Sequence, residues 1–138
     1  MEKHFVTYNQ SLALKELGFD MPCFKYVYIG DTGNNINRYE EVEPSRAKNY
    51  NKYFLCISQP LKSQVFEWFR ERYNILNEIT FFRDNKRIKK AYWFTIFKWD
   101  DNMVNREIIR DENDLYYYTY EETESACIDK LIELVKGQ

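Results

Sequence analysis

The sequence predicts an α+β fold: a single antiparallel sheet of about four to six strands, with three helices (N-terminal, central and C-terminal) packed mainly on one face. Three observations carry this. Runs rich in Phe, Tyr, Val and Ile follow one another across short polar turns, as antiparallel neighbours do. The helical stretches are too few and too clustered for a doubly wound parallel sheet. Two helices carry their own start and stop signals: a hydroxyl residue with Gln or Glu three positions on, and a closing glycine that tolerates a left-handed cap.

The first helix opens at Thr7 with Gln10 in the capping-box position, runs to Leu17 and stops at Gly18. Leu14 and Leu17 share a face with Leu12 near it, and Phe19 can fold back onto that face as the contact of a Schellman stop. Met21-Pro22 breaks the chain. Cys23 to Ile29 reads as a strand, and Gly30 to Asn37 as a loop. Arg38 to Lys52 is polar and reads as irregular chain or a frayed hairpin arm. Tyr53 to Ser58 reads as a second strand.

Pro60 opens the central helix, which runs to Tyr73. Leu61, Val65, Trp68 and Phe69 form its apolar stripe with the Arg72 stem beside it, and Asn74 is a left-handed stop. Ile79 to Arg83 and Ala91 to Trp99 read as paired strands, Met103 to Ile109 as another, and Leu115 to Thr119 as a short last strand. The C-terminal helix opens at Thr119, with Glu122 in the box position, and ends at Gly137. Its buried face is expected to hold Tyr120, Cys127, Leu131, Leu134 and Val135, with Ala126 and Ile128 flanking. No repeat or linker divides the chain, so residues 1–138 read as a single domain.

Composition narrows the function classes. Of the 138 residues, 3 are Trp, 12 Tyr and 10 Phe, so large rings must build much of the core. Net charge is −2, which is not a nucleic-acid-binding balance for the whole chain. Its distribution is uneven: Arg83 to Trp99 carries +5, and Asp100 to the end carries −7. Cys23, Cys56 and Cys127 are odd in number and widely spaced, and His4 is the one histidine. That pattern is neither a disulfide framework nor a zinc site; it fits buried free thiols in a reducing cytoplasm. No signal peptide or membrane-length apolar stretch is visible.

Catalytic motifs read weakly. Asp31-Thr32-Gly33 follows an apolar strand, as in retroviral-type aspartic proteases. Here Gly30 precedes the Asp, Asn34 follows the triplet, and the next glycine is Gly137, so the triplet reads as a turn. The carboxylates Asp100-Asp101 and Asp111-Glu112-Asp114 lie in polar turns and read as solvated rather than metal-binding. No thiol has a base at hand, and no glycine-rich loop leads into a phosphate-binding helix. No catalytic, cofactor-binding or metal residue is assigned, and no cofactor is expected.

The best binding signal is the basic hairpin of Arg83, Lys86, Arg87, Lys89 and Lys90, followed by Tyr92, Trp93, Phe94, Phe97 and Trp99. Cations reach phosphates and rings stack on bases. On a strand, Tyr92, Phe94, Ile96 and Lys98 share one face, and Trp93, Thr95, Phe97 and Trp99 the other. A central strand buried on both sides is preferred over a nucleic-acid platform.

Three blocks together resemble a known family. They are Leu12-Ala13-Leu14-Lys15-Glu16-Leu17-Gly18-Phe19-Asp20 with Pro22-Cys23-Phe24; Pro60-Leu61 with Gln64-Val65-Phe66, Trp68-Phe69-Arg70 and Tyr73; and Tyr120-Glu121-Glu122 with Glu124, Ala126-Cys127 and Lys130-Leu131-Ile132-Glu133. In this order they resemble small uncharacterised proteins of Bacteroidetes and the phages and prophages that infect them. The resemblance implies an intracellular, mobile-element setting in a bacterial host and brings no activity, ligand or catalytic residue. The 30–50 loop and the 83–90 hairpin fall outside it. The leading expectation is a non-enzymatic accessory protein that binds a protein partner or a second copy of itself, with no membrane association. The alternative is a single-stranded nucleic-acid-binding module using the hairpin of residues 83–99.

Overall fold

The computed structural model describes residues 2–30, 37–84, 89–100, 102, 106–110 and 117–137. It is α+β, with α1 (Tyr8–Leu17), β1 (Lys25–Ile29), β2 (Asn37–Glu41), β3 (Cys56–Ser58), α2 (Lys62–Tyr73), β4 (Ile75–Asp84), β5 (Lys89–Trp99), β6 (Arg106–Arg110) and α3 (Tyr120–Lys136). The chain divides into two compact units, Met1–Gln64 and Val65–Gln138.

Among the described residues, the strands form two separate three-stranded antiparallel sheets, ordered β2-β1-β3 and β4-β5-β6, not the single sheet of four to six strands expected. The reason lies at β3. Its inward groups bond β1, with Gln59 N–H donating to Lys25 O and Ile29 N–H to Leu55 O. Its outward groups are taken by side chains: Ser58 N–H donates to Asn51 Oδ1 at 2.8 Å, and Lys15 Nζ donates to Cys56 O at 2.6 Å. An edge whose polar groups are satisfied offers nothing to a fourth strand.

In the first unit, α1 is framed as its end signals require. Thr7 accepts from Gln10 N–H, and the Gln10 side chain accepts from Thr7 N–H. At the other end Gly18 takes φ 90°, with Gly18 N–H on Lys15 O and Phe19 N–H on Leu14 O, a full Schellman stop. Leu14 and Phe19 are buried, with Val6, Cys23, Val27 and Ile57. The polar 38–52 stretch holds more structure than expected: β2 pairs along the whole of β1, and short 3-10 turns span Pro44–Arg46 and Tyr50–Lys52. Conversely, only Cys56–Ser58 of the expected 53–58 strand forms a paired strand.

The second unit begins with most of α2. Trp68 and Phe69 are buried, the Arg72 guanidinium lies 5.6 Å from the Trp68 ring, and Asn74 takes φ 55° as the left-handed stop. β4 and β5 pair over ten positions, from Ile75↔Lys98 to Asp84↔Lys89. α3 is capped by Thr119, which accepts from Glu122 N–H at 3.1 Å, and packs on β4 and β5. Its buried face is Thr123, Cys127, Ile128, Leu131, Ile132 and Val135; Leu134 is half-buried. Tyr120, expected in that face, is 47% exposed and meets Tyr92 edge-on. Gly137 ends the helix at φ −74°, so no left-handed cap forms there. Of the expected 115–119 strand, Tyr117 forms an isolated bridge to Tyr92. All three cysteines are free; Cys23 and Cys127 are buried and Cys56 is half-buried.

Candidate functional site

Of the five hairpin cations singled out as a candidate binding surface, Lys86 and Arg87 lie outside the described residues. The backbone sets Arg83 opposite Lys90 and Asp84 opposite Lys89 in the β4–β5 ladder. Asp31-Thr32-Gly33, Asp101 and Asp111-Glu112-Asp114 also lie outside the described residues.

Register settles the two faces of β5. Tyr92, Phe94 and Ile96 face α3: Phe94 and Ile96 are buried, Tyr92 meets Tyr120, and Phe94 stacks with Tyr117. The other face is open except at Ala91, which is buried. Cross-strand pairing gathers Leu76, Glu78, Thr80 and Phe82 of β4, Trp93, Thr95, Phe97 and Trp99 of β5, and Arg106 and Ile108 of β6 on it. Every one of these side chains is half-buried or exposed, Trp93 at 38% and Ile108 at 48%. The strand expected to be buried on both sides is therefore buried on one. Phe82 and Trp93 lie 4.8 Å apart, and the Arg106 guanidinium sits 5.0 Å from the Phe97 ring and 5.9 Å from Trp99. A hollow of about 300 Å³ beside them is lined by Lys98, Trp99, Asp100, Arg106 and Glu107.

The first unit displays a different feature. Tyr53 to Cys56 is a tight turn closed by Cys56 N–H on Tyr53 O at 3.2 Å. Lys15 Nζ donates to both Tyr53 O and Cys56 O, and Ile29 N–H holds Leu55 O. On this tied frame Phe54 is 92% exposed. Beside it Lys48 Nζ lies 5.4 and 5.3 Å from the Tyr50 and Tyr53 rings, Lys52 Nζ lies 5.4 Å from Tyr53, and Tyr50 stacks on Tyr26 at 3.9 Å. Sequence reading missed Phe54, because a Phe within a short apolar run looks like a strand residue.

A second cluster is structural. The Lys25 side chain, only 6% exposed, pairs with Glu2 at 2.5 Å and lies 4.5 Å from the Phe5 ring, which ties the N-terminal turn to β1. Among the described residues, no three His, Cys, Asp or Glu side chains converge as metal ligands would. No helix among them is long and apolar enough to cross a membrane.

Comparison of the chain with protein families, curated proteins and solved structures finds no match.

Proposed function

We propose that this chain is a non-enzymatic accessory protein that acts by binding a protein partner, in the mobile-element setting that its sequence resemblance implies. The contact is the turn carrying Phe54. One observation supports this above others: Phe54 is 92% exposed on a turn whose carbonyls at Tyr53, Leu55 and Cys56 are all held. Burying a phenylalanine yields about 1.5–3 kcal/mol, and a ring on a rigid frame loses little freedom when it docks. Aromatic anchors ringed by polar groups are the usual energetic centres of interfaces. The lysines at 48 and 52 favour an apolar socket with an acidic rim.

The test is a photo-crosslinking residue placed at position 54 in producing cells, with the exposed position 45 as control. A discrete adduct at 54 and none at 45 is expected, and it should be lost when Lys48 and Lys52 are both reversed to Glu. Equal labelling at both positions, or none at 54, overturns the reading. An adduct of two copies of the chain would identify the partner as itself.

A further inference from the structure

The open face of the β4-β5-β6 sheet carries a chemistry that the Phe54 turn does not need. Trp93 and Trp99 stand on the same face of β5, six residues and so roughly 20 Å apart along the strand. Between them, the Arg106 guanidinium lies by both the Phe97 and Trp99 rings. At the Trp99 end of this face an indole and a guanidinium stand side by side, Trp99 opposite Arg106 in the β5–β6 ladder; Lys98 and Glu107, which also line the hollow there, belong by register to the other face. Rings offer stacking surfaces to unpaired bases, and a guanidinium holds a phosphate.

Charge supports the same occupant. By register, the open face of strands β4, β5 and β6 carries Lys89, Arg106 and Arg110 against Glu78 and Asp84. α3 holds five acidic residues against two basic ones and packs on the opposite face. Between these elements the open face is net positive and α3 net negative, which turns a polyanion toward the rings. A duplex keeps its bases stacked on each other, so the rings suit a single strand.

We propose that the open face binds single-stranded nucleic acid, with bases stacked on Trp93 and Trp99 and a phosphate held by Arg106. The test uses the full chain and a labelled oligothymidylate of about 12 nucleotides, within the usual footprint of such platforms. Fluorescence anisotropy at low salt should rise to saturation and weaken with added salt. Trp93→Ala and Arg106→Glu should each weaken binding on the order of tenfold, with unchanged melting midpoints. Phe54→Ser should leave it unchanged, which separates this site from the protein-binding turn. Hydrogen exchange on the wild-type chain gives a second reading that needs no variant: the oligonucleotide should slow exchange in β5 and β6 and leave α3 unaffected. Absence of binding at low salt, or binding that survives both substitutions, overturns the proposal. So does a dimer in sedimentation that Trp93→Asp dissolves, since a second copy would then cover the face.

Discussion

Lys15 in α1 donates its ammonium to the Cys56 carbonyl at 2.6 Å and to the Tyr53 carbonyl at 3.1 Å. One side chain thus caps one carbonyl of the outer edge of β3, beside Asn51 on Ser58 N–H, and braces the turn that displays Phe54. Lys15→Met keeps most of the stem and removes the donor. It is expected to cost on the order of 1–3 kcal/mol, because two carbonyls lose their charged partner. Phe54→Ser should leave the urea midpoint unchanged. Equal losses for the two variants would mean that Phe54 is packed rather than displayed.

Gly18 holds φ 90°, and a Cβ added there meets nothing within 4 Å. Any effect of Gly18→Ala is therefore conformational and not steric. The expected loss is about 1–2 kcal/mol, the cost of a left-handed backbone for an L-residue. Thr7→Ala at the opposite end should cost about 1 kcal/mol by removing the cap from Gln10 N–H. Chemical denaturation measures both.

Trp68 is buried and makes edge-on contacts with Phe69 at 5.2 Å and Tyr73 at 5.5 Å. Trp68→Ala should cost about 3–5 kcal/mol, as large-to-small changes in packed interiors do. A melting midpoint within a degree or two of wild type would contradict this.

Burial pushes the Cys23 thiol up from its ordinary 9.0 to about 12, partly offset by a hydrogen bond with Ser58. Burial, followed by the nearby Glu124 charge, also raises Cys127. A raised thiol value means that the folded chain keeps a proton which the unfolded chain gives up. Stability is then whole below the unfolded value near 9 and falls as pH climbs toward 12, by roughly 1.4 kcal/mol per pH unit per thiol. Urea midpoints taken between about pH 8 and pH 10.5 should show this decline, and Cys127→Ala should make it shallower by its own share, leaving that of Cys23. An equal slope in the variant would place the alkaline sensitivity elsewhere. Of the three thiols, Cys56 should react first with a thiol reagent, since the other two are buried.

Local signals were readable where the physics is local. The Thr7–Gln10 box, the Gly18 stop, the Asn74 stop and the span of α2 depend on a few neighbouring residues, and sequence spacing shows them. The sheet count was not readable, because it turns on Asn51 and Lys15 reaching across to β3. β2 was hidden by its polarity: Asn37, Arg38, Tyr39 and Glu41 are exposed, so no apolar alternation marks the strand. The Gly137 signal failed because a helix can also end in right-handed geometry. For the site, the aromatic run 92–99 was visible as a candidate, and β pairing then showed which of its rings stay open. Arg106 and Phe54 were not visible, one because its ring partners come from a neighbouring strand, the other because exposure is a property of the turn.

The ladder between β4 and β5 starts from residues close in sequence, Asp84↔Lys89, and runs outward from there. The first unit is closed instead by distant partners: Phe5 with Leu61, Cys23 with Lys48, and the Gln59 amide with Val6 O, 53 residues away. Bringing such partners together loses more chain entropy before any contact rewards it, which slows folding. The two halves are thus expected to fold at different speeds. In pulse-labelled refolding, amides of β4 and β5 should become protected before those of β1 and β3. Simultaneous protection would instead mark residues 1–138 as one cooperative body.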